Sequence, residues 1–278
     1  MNAAPPISPF DSNHAWQDAL SLIKTNRDLL IALAGVFLVL PAFAIAVLLP
    51  LPEPAKDGDL MAFATSLGEY YRNNAPALVI SGLIHTAGTL AMLALFTDPS
   101  RPTVGQAIRQ GFARMPTVIF AQIIMCAGVG AMLIVPATLG GMLGSAALSF
   151  LGAVAAFGLG VWALTRLSLI PAVVVVEQMS NPLKALNRAW LLTEGHALRL
   201  LVFFALLFVA TIVLTLVASG LVNALLSVLI GGEAALLGST LIATSVQAAM
   251  TVCFNAVFAA SYRQLAETPI APVNSTFN

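Results

Sequence analysis

Thr240, Thr244, Gln247, Thr251 and Asn255 recur along the last apolar run at intervals of four, three, four and four residues. That is helical spacing, so the hydroxyls and amides share one face. Inside hydrocarbon such a stripe must turn toward other helices or a wet cavity. Its chemistry is hydrogen bonding, either between helices at roughly 1 kcal/mol or less per contact or to a substrate along a polar path. His85, in "LIHTAGT", is the only titratable group near the middle of its own apolar run, with Thr86 and Thr89 beside it. An imidazole there exchanges a proton near neutral pH or stays neutral and bonded to a neighbouring helix; the second is the plainer reading. Gln122, in an earlier run, is expected to contribute to the same interior.

Other chemistry is excluded more firmly. None of the 12 carboxylates falls in the middle of an apolar run, where a membrane hydrolase or carboxylate proton pump would place them. No serine sits in a nucleophile elbow, no glycine loop could cradle phosphate, and the three histidines lack metal-ligand spacing. Cys126 and Cys253 lie inside apolar runs as small hydrophobes. The expectation is no enzyme, no catalytic residues, no cofactor and no metal. With zero formal net charge, nothing suggests nucleic acid.

The elements that must carry these residues follow from composition. The chain has 278 residues, 59% of them hydrophobic and 9% charged, and a mean hydropathy of +0.94. Soluble domains carry about 25% charged residues. The apolar runs are long enough to cross about 30 Å of hydrocarbon as helices. Six spans are predicted, at about 29–49, 75–96, 116–139, 145–170, 197–219 and 239–262. Pro41 lies inside the first, as a membrane helix tolerates. A cleavable leader is not expected, because the polar start is 28 residues long and the apolar run continues past "AFA" at 42–44. Residues 50–74 read as the longest polar connection, and 220–238 as interfacial, re-entrant or part of span five. Residues 1–12 and 266–278 read as flexible ends around a single membrane domain at 13–265. Gly128, Gly130, Gly140, Gly141, Gly144, Gly152, Gly158 and Gly160 crowd spans three and four, and close helix packing is their expected use.

Basic residues orient the chain. Ten lie on one side (Lys24, Arg27, Arg101, Arg109, Arg114, Arg166, Lys184, Arg188, Arg199, Arg263) and two, Lys56 and Arg72, on the other. This bias needs an even number of spans and predicts both termini on the cytoplasmic side.

Three amphipathic segments interrupt the apolar chain on the basic side. "GQAIRQGFARM" at 105–115 superposes on "LKALNRAWLLT" at 183–193 with an offset of 78. The N-terminal segment, offset by 88, keeps Ala19–Leu20 but has Lys24 where the others carry an aromatic ring. Trp16, Ala19, Leu20 and Ile23 make its apolar face; Val104, Ala107, Ile108, Phe112 and Met115 make that of the second. Thr103 and Gln106 fit a capping box, and Asn181 with Pro182 fits a helix start. Each segment precedes two spans, so the expected fold is all-α: three repeats of a cytoplasmic amphipathic helix plus a membrane hairpin, at about 13–96, 103–170 and 181–264. Such helices dock on the bundle, or present Arg109, Arg114, Lys184 and Arg188 to anionic headgroups or to a membrane or cytoplasmic partner. Arg166 and Glu177 flank Pro171 and form the expected structural ion pair, with Lys184 and Arg188 as other cations within Glu177's reach.

The stretch "IPAVVVVEQMSNPLKALNRAWLLTEGHALRLL" resembles the signature of a bacterial family of six-span proteins. That family includes YciC-like inner-membrane proteins and the membrane domain fused to some glycerophosphodiester phosphodiesterases. The matching positions are Pro171, Val174 to Val176, Glu177, Pro182, Ala185, Leu186, Arg188, Trp190, Leu192, Thr193 and Gly195; Ala189 stands where relatives often have serine. The resemblance covers about 30 residues and implies a six-helix integral protein; the fused catalytic domain is absent. The leading functional expectation is a protein handling a lipid or small solute within its bundle. The alternative is a scaffold whose amphipathic helices recruit partners.

Overall fold

Local signals start most of the helices. Asp11 accepts the backbone N–H groups of Asn13 and His14 at 2.9 and 3.3 Å and starts α1, Ser12–Thr25. Helix α2, Arg27–Ala34, runs through a wider π-helical turn at Gly35–Val39 into α3, Leu40–Leu48. Pro41 explains the turn. It has no N–H and its ring crowds the carbonyl four residues back; the Leu40 N–H reaches instead to Gly35 O, five residues back, and the helix continues. Asp59 caps α4, Leu60–Thr97, through the N–H groups of Met61 and Ala62. The predicted capping box forms at the start of α5, Val104–Met142: the Thr103 N–H donates to Gln106 Oε1 at 2.9 Å and the Gln106 N–H to Thr103 Oγ1 at 3.4 Å. Ser145 caps α6, Ala146–Leu167. After it come α7, Ile170–Val176, and α8, Pro182–Leu192, the latter capped by Asn181 as expected. Two long helices, α9 (Ala197–Leu229) and α10 (Gly232–Glu267), complete the chain.

The computed structural model describes residues 10–53, 59–97, 103–229 and 232–267. The expected flexible ends lie largely outside these, as do Lys56 and Arg101. Among the described residues all elements are helical, and six helical stretches are long and apolar enough to span a membrane: Arg27–Leu48, Met61–Thr97, Val104–Pro136, Ala147–Val176, Ala197–Leu226 and Ala234–Ala266. The fold is all-α and multi-pass.

Two expectations change, and one open stretch is assigned. Much of the predicted connection at 50–74 is the start of α4, and the second amphipathic segment is continuous with its span through Pro116. Helix α4 has 38 residues, about 57 Å at 1.5 Å each, and so overshoots about 30 Å of hydrocarbon. Capped by Asp59, the polar turns before Ala75 stay helical, and the Tyr70 hydroxyl donates to Leu49 O at 2.9 Å, tying α4 to the end of α3. The undecided stretch 220–238 divides between α9 and α10.

The chain forms two compact units. One comprises 1–21, 116–206 and 256–278; the other comprises 22–115 and 207–255. In the first, Phe10, Ala15, Leu169, Leu200 and Leu265 make a buried cluster on which Phe203, Phe204 and Phe258 pack. The run Ala172–Val174 is fully buried there, consistent with its lack of polar interruption. In the second, Gly111 lets α5 close on α4: a Cβ there would stand 3.0 Å from Ala87 O and Ala91 N. Gly88 lies against Phe37, whose Cβ would be 2.4 Å from an added methyl. Of the eight glycines expected to pack spans three and four, Gly152 meets Pro136 and Gly160 meets Val129. Gly128, Gly130, Gly144 and Gly158 face open space, and the surroundings of Gly140 and Gly141 lie outside the described residues.

Candidate functional site

The signature stretch builds a polar cluster inside the first unit. Trp162 and Arg166 are one turn apart on α6, so both project from one face. The Arg166 guanidinium, 6% exposed, lies 4.0 Å from the ring centroid of Trp190 and 5.1 Å from that of Trp162. The two indoles meet edge to face at 5.0 Å. Arg166 Nη2 donates to Trp190 O at 2.8 Å and Nε to Thr193 Oγ1 at 3.3 Å. Thr193, fully buried, closes α8 by donating to the Ala189 and Trp190 carbonyls at 3.0 Å. Gly195 follows with φ +77°, a left-handed conformation in which a side chain is disfavoured, and the chain turns into α9.

The expected Arg166–Glu177 pair does not form. Glu177 Oε1 accepts from Arg188 Nε at 2.8 Å and from the Tyr262 hydroxyl at 3.0 Å. Arg166 turns instead to indole faces and a helix-end carbonyl, where a buried cation is held by ring quadrupoles and aligned peptide dipoles. Sequence reasoning missed Trp162 and Tyr262. The one-turn spacing of Trp162 to Arg166 was a usable signal; nothing near Tyr262 announced its partner. The cluster holds α6, α8 and the end of α10 together. It contains no acid–base pair free to act on a substrate.

The four basic residues expected to face headgroups divide between the units. Arg109 and Lys184 are exposed, Arg114 is half-buried, and Arg188 is committed to Glu177. Helix α8 buries Ala185, Ala189 and Leu192 and leaves Leu183 and Leu191 outward.

The interior candidates also divide. Gln122 is half-buried in the first unit; His85, Thr244, Gln247, Thr251 and Asn255 belong to the second. The threonines bond to their own helix: Thr244 to Thr240 O and Leu241 O, Thr251 to Gln247 O. Their hydroxyls therefore need no partner across the bundle. Asn255 is buried, with Nδ2 4.0 Å from Met92 Sδ on α4. His85 and Gln247 are exposed, and among the described residues no hydrogen bond reaches either side chain. Thr89 Oγ1, one turn beyond His85, is buried and also without a partner there. Among the described residues the stripe is thus an unpaired Gln247 and a weakly held Asn255 among self-satisfied threonines, not a continuous polar wall.

Two concavities lie in the first unit. One, of about 330 Å³, is apolar and lies between α5 and α6, beside Met132, Pro136, Gly152 and Leu159. The other, of about 340 Å³, is largely polar and lies between α1 and the end of α10. Among the described residues no three His, Cys, Asp or Glu side chains gather as a metal would require. No family model, curated protein or solved structure matches the chain.

Proposed function

We propose that the chain is a bacterial inner-membrane protein without catalysis of its own, which binds a lipid or small solute on the polar face shared by α4 and α10. The observation that carries this reading is the exposure of His85 and Gln247 near the middle of two membrane-spanning helices. An unpartnered amide or imidazole in hydrocarbon is costly and marks function more often than packing. Both groups belong to one unit. Met92, seven residues beyond His85, approaches Asn255, eight residues beyond Gln247. As the second and sixth of six alternating crossings, α4 and α10 run in the same sense. His85 and Gln247 then lie at one depth, about 10–12 Å from the Met92–Asn255 contact. A ligand with one hydrogen-bonding group and an apolar body suits that position.

The three-repeat organisation belongs to this proposal, with the kinship to YciC-like proteins. It is supported by Ala19, Ala107 and Ala185, equivalent under the offsets of 88 and 78, which are all fully buried. Gly111 and Ala189, the next equivalent pair, are buried too. Small residues in register let each amphipathic helix dock closely.

The test is native mass spectrometry of gently extracted protein. A small molecule or lipid retained by the wild type and lost in Gln247→Leu and Asn255→Leu supports the reading. Equal retention by all three removes the site. A second reading, a scaffold that recruits partners through its amphipathic helices, is favoured by exposed Arg109 and Lys184. Charge reversal at those two positions tests it, whereas reversal at Arg188 would only break the Glu177 pair.

A further inference from the structure

The crevice between α1 and the end of α10 is a different place from the His85–Gln247 face and lies wholly within the first unit. Its lining is His14, Asp18, Ser21, Arg263 and Gln264. The first three are spaced four and three residues apart, so they share the face of α1 that looks into the space. The adjacent side of α1 is anchored by fully buried Ala15 and Ala19. The crevice is therefore floored by a docked helix.

Its charges are arranged in two halves. On one side His14 Nε2 lies 3.3 Å from Asp18 Oδ2, which leaves the other carboxylate oxygen of this exposed side chain to accept. Ser21 donates its hydroxyl to Asp18 O at 2.8 Å, leaving its oxygen as an acceptor. On the other side stands Arg263, exposed, with no ion pair or hydrogen bond among the described residues. A guanidinium that lines a polar space and has no carboxylate suits a phosphate, which it binds through two parallel N–H groups. The volume between the halves is about 340 Å³.

The crevice also lies at a defined level. The sixth span ends at Ala266, three residues beyond Arg263, and α1 immediately precedes the first span. Both places lie toward the ends of apolar helices longer than the hydrocarbon is thick, which suits the headgroup side.

We infer that this crevice binds the headgroup of a zwitterionic phospholipid, with the phosphate on Arg263 and the ammonium group on Asp18. The shared chemistry is a phosphate joined to an amine by a short linker. A purely anionic headgroup satisfies Arg263 and leaves Asp18 facing negative charge. A cation alone leaves Arg263 empty. Only a molecule carrying both charges meets both walls. This site does not depend on the interior site and is tested with different residues.

The experiment is lipid titration of the full chain in detergent, read by native mass spectrometry. The probes are phosphatidylethanolamine, phosphatidylglycerol and free phosphoethanolamine. The wild type is expected to retain phosphatidylethanolamine at least ~10-fold over phosphatidylglycerol, the size of one charge-assisted hydrogen bond. Arg263→Gln should lower retention of both lipids by ~10-fold or more. Asp18→Asn should weaken phosphatidylethanolamine alone and erase the preference. Neither residue caps a helix, Arg263 is exposed and Asp18 is half-buried with a largely accessible side chain, so circular dichroism and melting should match the wild type. Equal retention of the two lipids by the wild type, or a preference that survives Asp18→Asn, would overturn the inference. Competition by free phosphoethanolamine at the lipid's own concentration would overturn the lipid assignment in favour of a soluble zwitterion. Loss of retention in Gln247→Leu but not in Arg263→Gln would place the bound lipid in the interior site instead.

Discussion

At Glu177 three side chains from separated parts of the chain converge, and their unequal roles make the site testable. The carboxylate and Arg188 are 21% and 30% exposed, so the pair is screened less than a surface pair but is not dry. Arg188→Ala leaves a partly buried negative charge with only the Tyr262 hydroxyl, and should cost about 1–2 kcal/mol. Glu177→Gln keeps an acceptor for both Arg188 and Tyr262 and should cost less, under about 1 kcal/mol. Denaturant melts in detergent check the order; a larger loss for Glu177→Gln would contradict it. Arg166 tests a different force. Lysine keeps the charge but cannot lie flat between Trp162 and Trp190 while bonding Trp190 O and Thr193. Arg166→Lys should therefore destabilise by about 1–2 kcal/mol and change the tryptophan emission. An unchanged melt and spectrum would mean that the stacking contributes nothing.

Between helices, the closest approaches are set by a few glycines, and they separate packing from mere abundance. Gly111→Ala forces a methyl to 3.0 Å from two backbone atoms of α4, which cannot rotate away; Gly88→Ala drives one into Phe37. Each should cost about 1–3 kcal/mol. Gly128→Ala meets nothing within 4 Å and should be neutral, or stabilising by up to about 1 kcal/mol through helix propensity. Parallel melts of the three proteins check this. The same contrast shows what was legible in the sequence. The Thr103–Gln106 box and the Asn181 cap were readable because a cap needs only residues two or three apart. The six apolar runs were readable because hydrocarbon thickness fixes their length. Glycine-dense runs were misleading, because whether a glycine meets another helix depends on which face the neighbour takes. Glu177's choice of Arg188 over Arg166 was unreadable for a related reason. The competing indole faces and the Trp190 carbonyl come together only when α6 and α8 pack. At the interior site, the spacing showed that the stripe shares a face, but not that its threonines would satisfy themselves while His85 and Gln247 stayed open.

Across the whole chain, the distribution of buried surface argues for hydrocarbon as the missing partner. Only 12% of the third apolar window and 6% of the fifth are covered by protein, against 44% and 50% of the second and fourth. So much bare apolar helix is far beyond the patch a soluble monomer exposes. Two observations support the proposed sidedness. Helix α1 and the end of α10 line one crevice, which supports the placement of both ends of the membrane domain on one face, as an even number of crossings would require. The sequence bias of ten lysines and arginines against two supports the proposal that this face is the cytoplasmic one. Reporters fused at either terminus should therefore read as cytoplasmic, and one inserted at 54–58 as external. If the two termini read on opposite sides, one of the six apolar helices fails to cross. The pair α9 and α10, consecutive in the chain, is where a failed hairpin would do it. If all three reporters reversed together, the crossings would stand and the charge argument would fall. The phospholipid crevice would then belong to the outer leaflet, with its two charged walls unchanged.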